Sequence, residues 1–277
     1  MHLHLIHEGS VAILPVCHYR VEFAQLVVEA VRAFEPEAIA VELPAALEAA
    51  AIQAVDRLPY LSVAAYRPAG EPLDGRRGYL VVEPADPIVE AIRQGRDRGV
   101  EVHCVDANLF DYPERDDQLP DPYAALRIGH RAFCEAVEAA RFCAEAPDGA
   151  DAHREAVMAY RVAGLASGGR RVLVVCGMAH AVRVASRLAA GAASPFGVPA
   201  PEGAEHVDPD VRLYDLHEDS AREIMAEWAY LSAAYERASR TPQEQLARTM
   251  GSLKDALDLL QVSMEQGNAL YRNIVKK

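Results

Sequence analysis

The stretch from Val11 to Pro44, VAILPVCHYRVEFAQLVVEAVRAFEPEAIAVELP, leaves this chain few folds to choose from. An apolar run, Val11 to Val16, delivers His18. Phe23, Leu26, Val27, Ala30, Val31 and Phe34 then recur at helical spacing. Pro36 punctuates, and a second apolar run, Ala38 to Val41, delivers Glu42. Strand, helix, strand is the unit of a parallel sheet, and its right-handed crossover brings both strand ends to one edge. His18 and Glu42 are therefore expected side by side at the carboxyl edge, where open α/β sheets bind their ligands. The fold class that follows is α/β: a mainly parallel β-sheet flanked by helices, with a C-terminal helical extension.

Further segments carry the same logic. Tyr79 to Val82 is a short apolar run ending in Glu83, and Leu61 to Tyr66 is another strand candidate. Asp86-Pro87 reads as an N-cap followed by proline at the first helical position, opening a helix that stops at Gly99. Val100 to Val105 is a strand that delivers Asp106. Asn108 to Asp121 is a polar loop long enough to cover a site. Helices are expected over Pro122–Ala144 and Ala152–Ala166, separated by the turn Ala146-Pro-Asp-Gly. Val172 to Val175 is a fully apolar strand, followed at once by Gly177-Met178-Ala179-His180 and a helix to about Ala190. Val211 to Leu216 is the last strand candidate.

Residues 1–218 form the expected α/β domain, and 219–277 a helical pair packed on it or on a second subunit. The first helix of that pair contains Trp228. The second opens at Thr241-Pro242-Gln243-Glu244, a capping box with proline at the first helical position.

Composition narrows the function classes. A hydrophobic fraction of 51% supports a sizeable buried core. A formal charge of −13 argues against a nucleic-acid partner, since a basic face supplies most of that affinity. No run approaches the length of a membrane span, so no membrane partner is expected and a cytoplasmic location is the default. The five cysteines contain no CxxC pair and read as buried reduced thiols. The alternating His2, His4 and His7 read as the wet face of an edge strand rather than a metal tract. Ser10, Ser62 and Ser167 lack a Gly-x-Ser-x-Gly elbow, and no Walker or dinucleotide fingerprint is present. A Cys17 nucleophile beside His18 is disfavoured because strand neighbours point to opposite faces.

His18, Glu42, Asp106 and His180 all stand directly after apolar strands, on what should be one edge of one sheet. Two imidazoles and two carboxylates converging in a cleft can activate water directly or hold a divalent metal. These four are the candidate catalytic residues, and His18, Glu42 and His180 the candidate metal ligands. Gly177, at a strand-to-helix turn, suits close approach of a ligand and leaves helix amides for an anion. Gly177 and Arg20 are the candidate substrate-binding residues.

The segment ending in His18, the run Val41-Glu42-Leu43-Pro44, and Gly177-Met178-Ala179-His180 together resemble the superfamily of erythromycin esterase-like, TraB/PrgY-like, Tiki-like and ChaN-like proteins. That superfamily shows two Gly-x-x-His motifs and a glutamate after the second strand of the opening unit. The second motif is matched in full; the first has Pro15 in the position of its glycine. The stretch from Pro84 to Arg93, with Gly99-Val100 and Val105-Asp106, resembles bacterial uncharacterised members of the group. The resemblance covers roughly residues 11 to 190. It implies an α/β fold with the site at the strand ends, and that His18, Glu42 and His180 map onto the functional residues. Those residues serve hydrolysis in the esterases, metal-dependent proteolysis in the Tiki-like members and haem or iron handling in the ChaN-like members. The leading expectation is a hydrolase of a small-molecule or peptide substrate, with manganese or zinc as the metal if one is used. A non-catalytic module binding a ligand, a metal or haem is the alternative. A homodimer through the C-terminal helices is the expected assembly.

Overall fold

A computed structural model describes residues 3–67, 77–109, 120–140, 149–192, 210–217, 220, 225, 226 and 229–239. The opening stretch folds as its spacing dictates. Val11–Val16 is strand β2, Val21–Phe34 is helix α1 and Ala38–Pro44 is strand β3. Ile6–Glu8 (β1) precedes them and pairs antiparallel with β2. Glu101–Asp106 (β6) and Val172–Gly177 (β7) complete a five-stranded sheet with the order β1-β2-β7-β3-β6. All pairings in it except β1 with β2 are parallel.

That order corrects one expectation. β2 and β3 are not neighbours: β7, from far along the chain, is inserted between them, with Val16 beside Gly177 and Val41 beside Val175. A helical crossover fixes handedness and direction, but it does not stop a third strand entering the gap.

Alternation along the strands sorts their side chains to two faces. Ala12, Leu14 and Val16 of β2 and Leu173 and Val175 of β7 join a core with Phe23, Leu26, Ile88 and Ile92. Val11, Ile13, Val172, Val174 and Cys176 join a second core with Met158, Val162, Ala181 and Val184. Burial on both faces explains why these strands read as unbroken apolar runs. The first face is covered by α1 and by Pro87–Arg98 (α3), the second by Gly149–Leu165 (α6) and Met178–Ala189 (α7). α3 begins and ends as its sequence requires: Asp86 accepts from the Ile88 and Val89 amides, and Gly99 closes the helix at φ 67°.

Three expected strands form a sheet of their own. Ser62–Arg67 (β4) pairs antiparallel with Gly78–Val82 (β5) and with Asp210–Asp215 (β8), in the order β5-β4-β8. Pro44 ends β3, and a 3-10 turn at Ala45–Leu47 leads into Glu48–Asp56 (α2). The helix expected over Pro122–Ala144 is split into Ala124–Ile128 (α4) and His130–Ala139 (α5) by Gly129, whose φ of 86° lies outside helical space.

Ala229–Ser239 (α8) falls in the first of the two expected C-terminal helices, and it packs on this domain. Leu231 and Tyr235 bury against Val21, Ala24 and Ala85, and Glu236 pairs with Arg93 at 2.7 Å. The second C-terminal helix, Trp228, Cys143, the turn at Ala146, His2 and most of the Asn108–Asp121 loop lie outside the described residues. Cys17, Cys104, Cys134 and Cys176 are free and buried, as expected. No helix among the described residues is long and apolar enough to cross a membrane.

Candidate functional site

The site is built around a strand end that has no side chain. Gly177 closes β7, and the ends of β2 and β3 flank it. A Cβ placed on Gly177 would stand 3.1 Å from His18 Nε2 and 3.2 Å from Glu42 Oε2. Without it, His18 and Glu42 reach across β7 and stand 3.6 Å apart, Nε2 to Oε2. The two residues meet because the strand between them ends in glycine.

Glu42 is held from both sides. Its Oε2 accepts the Gly177 amide at 2.5 Å, and its Oε1 accepts from Arg154 Nη2 at 2.7 Å. Gly177 is the N-cap of α7, so the carboxylate lies by a helix N-terminus, where partial positive charge favours an anion. Burial pushes this carboxyl up, but His180, His18 and Arg154 outweigh it and hold Glu42 well below the usual carboxylate range.

Arg154, on α6, is the centre of the cluster, and the sequence reading missed it. Its Nε donates to Asp106, its Nη2 to Glu42 and Asp106, and its Nη1 to Asp151 and to His180 Nε2 at 3.2 Å. A guanidinium has five N–H groups, and these contacts use every one. A readable signal existed. Asp151, Arg154 and Glu155 continue the buried stripe of Met158 and Val162 at helical spacing, so charge appears where the pattern calls for core.

The Arg154 contact also assigns the His180 tautomer. An arginine cannot accept, so Nε2 of His180 is the acceptor and Nδ1 carries the proton. That proton is directed at Glu155 Oε1, 2.9 Å away, which also accepts from Arg183 Nε at 2.7 Å. His180 is thereby locked between Glu155 and Arg154, with Nε2 3.6 Å from Glu42.

His18 sits in the turn between β2 and α1. Its neighbour Tyr19 has φ of 57°, a left-handed conformation that costs a tyrosine energy. Asp86 holds that turn by accepting the Tyr19 amide at 2.7 Å with Oδ2 while Oδ1 caps α3. Burial draws the His18 imidazole down; the Glu42 and Asp86 carboxylates outweigh it and lift its pKa to about 8. His18 is also the accessible member of its pair, with a side chain 36% exposed against 6% for Glu42.

A cavity of about 390 Å³ opens onto this cluster. His18, Tyr19, Glu42, Asp86, Asp106 and Arg154 form its polar end, and α2, α3, β4 and β5 supply apolar walls. The structure thus brings together His18, Glu42, Asp106 and His180, all four expected at the strand ends. Their roles differ from expectation. Asp106 touches neither histidine: it takes Arg154 in a two-oxygen grip and accepts the Ala107 amide at 2.7 Å. Burial raises its carboxyl, and Arg154 offsets this only in part. Gly177, expected to leave its amide for a ligand, donates it to Glu42 instead. Arg20 does not line the cavity; its guanidinium lies over the Tyr123 ring, 5.9 Å from the centroid. Burial pushes the Cys17 thiol up to about 12, which removes it as a nucleophile at neutral pH.

The donor set does not fit a divalent metal as it stands. His180 Nε2 has a single lone pair and already accepts from Arg154 with it, so His18, Glu42 and His180 cannot all bind one metal in this arrangement. The cation at the centre is the Arg154 guanidinium. Among the described residues no group of three or more His, Cys, Asp or Glu is arranged to hold a metal ion. Comparison of the chain with protein-family models, curated proteins and solved structures finds no match.

Proposed function

We propose that the protein is a hydrolase in which His18, backed by Glu42, acts as the general base toward a water in the cavity. One observation carries this reading. A histidine–carboxylate pair, with the histidine exposed and the carboxylate buried, stands at the polar end of an apolar-walled cavity. Nε2 of His18 faces Glu42, which leaves Nδ1 to take a proton from water as the water attacks a carbonyl carbon. Glu42 stabilises the imidazolium, and the proton then passes from Nδ1 to the leaving oxygen or nitrogen. Gly177 and Arg154 keep Glu42 ionised and oriented. Tyr19 lines the same cavity, and burial raises its phenol, so it remains a neutral hydroxyl donor for the developing oxyanion. His180, Glu155 and Asp106 position Arg154. The resemblance to the erythromycin esterase-like superfamily supports hydrolysis, and the Arg154 centre favours a metal-free form of it.

A panel of carboxylic esters assayed between pH 6 and 10 tests the reading. His18→Ala should lower kcat/KM by roughly 10²–10⁴-fold. In the wild type kcat/KM should rise with pH to a plateau above about 8, because the base must be unprotonated. Ester hydrolysis untouched by His18→Ala would overturn the assignment.

A second reading, a ligand-binding module without turnover, draws on a different observation. The Gly177 amide and the Arg154 donors are spent on internal acceptors rather than held ready for an oxyanion. Saturable binding with no turnover across the panel would establish it.

A further inference from the structure

We infer that the cavity takes a neutral, medium-length acyl chain, with its carbonyl at His18 and its hydrocarbon between α2 and α3. The inference rests on the site proposed above for the position of the carbonyl, but not on turnover.

The first observation is how polarity is distributed. The ionisable groups lining the cavity, His18, Glu42, Asp86, Asp106 and Arg154, come from the turn after β2, the ends of β3 and β6, the α3 cap and α6. From there the walls are mainly hydrocarbon: Leu47, Ala51 and Val55 on one side and Ile88, Val89 and Ile92 on the other, with Tyr66 and Tyr79 from the small sheet. α2 and its N-cap present Leu47, Ala51 and Val55 at four-residue spacing, and α3 presents Ile88, Val89 and Ile92, so the two helices offer facing apolar stripes. A ligand that fills this space must be polar at one end and apolar along the rest.

The second observation is charge. Among the described residues Arg154 is the one arginine in the lining, and its five N–H groups all donate to protein acceptors, while three carboxylates share the polar end. Once His18 has lost its proton, a carboxylate or phosphate head would meet those acids without a cation of its own. A free fatty acid is therefore disfavoured against an ester or amide of the same length.

The third is size. A volume of about 390 Å³ equals about thirteen water-sized groups at roughly 30 Å³ each. With the carbonyl and its heteroatom placed at the polar end, this leaves a chain of roughly six to ten carbons. Each methylene moved from water into such a wall is worth about fourfold in binding.

The test uses the full chain and two measurements. Calorimetric titration with neutral straight-chain amides from acetamide to decanamide should show affinity rising about fourfold per carbon and levelling at eight to ten carbons. Octanamide should bind at least tenfold more tightly than octanoate at about pH 9.5, where His18 is neutral. The ester panel, run as a chain-length series from acetate to dodecanoate, should show the same optimum in kcat/KM. Ala51→Phe should move both optima to shorter chains; Val89→Phe, from the facing helix, should do the same and covers the case in which the first variant does not fold.

Length-dependent amide binding without ester turnover would uphold the acyl site and remove the hydrolase. Turnover with no chain-length preference would keep the hydrolase and overturn the acyl site. Affinity flat in chain length, or octanoate binding as well as octanamide, would also overturn it.

Discussion

His18 Nε2 and Glu42 Oε2 stand 3.6 Å apart across the end of a strand that belongs to neither of them. The pair depends on Gly177 for its contact, and Arg154 grips its buried member through Oε1.

The pair sets a pH dependence of definite sign. His18 is lifted from 6.5 to about 8 in the folded protein, so its stabilising contribution is fully present below pH 6.5 and lost as pH rises through 8. Glu42→Gln removes the carboxylate that outweighs burial. NMR titration should place the wild-type His18 resonance near 8 and move it below 6.5 to 7 in the variant; an unchanged midpoint would show that Glu42 is not the partner.

Gly177→Ala should fail for reasons of space rather than backbone strain. The added methyl would press on His18 Nε2 at 3.1 Å and Glu42 Oε2 at 3.2 Å, and neither can retreat without leaving a partner. A cost of about 1–3 kcal/mol is expected. Chemical denaturation would measure it, and the His18 midpoint should fall in the same variant.

Arg154→Met should be the most damaging change in the site. It leaves Glu42, Asp106 and Asp151 buried around a missing cation, at a cost of about 3–5 kcal/mol. In a chain of this size Tm should fall by roughly 10 °C. A melting temperature within a degree or two of wild type would show that the carboxylates do not need the guanidinium.

His130 predicts acid sensitivity from outside the candidate site. It is fully buried, with Nδ1 accepting the His4 amide at 3.1 Å and Nε2 3.0 Å from the Pro15 carbonyl. Burial draws its pKa down to about 4, from 6.5. The unfolded chain therefore binds the proton first, and stability present above pH 6.5 is lost as pH falls toward 4, on the order of 3 kcal/mol. Glu90 acts in the opposite sense, since burial raises it to about 7 and its contribution is lost as pH rises. The His130 effect should therefore be read as a difference: His130→Leu, less stable at pH 7, should close on wild type by pH 4.5 in urea denaturation. A constant gap between the two would exclude this role.

Local features of the chain were legible where local physics decides them. Asp86, Pro87 and Gly99 mark the ends of α3 because capping involves residues within one turn. The strands at Val11 and Val172 were legible because two-sided burial leaves an unbroken apolar run. His18, Glu42, Asp106 and His180 could be singled out because a polar residue directly after such a run is held at the sheet edge. Arg154 was not, because charges on a helix usually face solvent, and only its alignment with Met158 and Val162 betrays it.

The amino-acid sequence by itself determined the elements, their caps, the α/β class and which polar residues reach the sheet edge, since these follow from spacing and propensity within a dozen residues. The tertiary structure alone decided that β7 lies between β2 and β3, that β4, β5 and β8 form a separate sheet, and that Arg154 meets Glu42, Asp106 and His180. Those outcomes depend on pairings beyond the reach of local spacing, some between residues more than a hundred positions apart, such as Val16 with Gly177 and Glu42 with Arg154. Strand order is chosen by how all the apolar faces are covered at once, and no single segment carries that information.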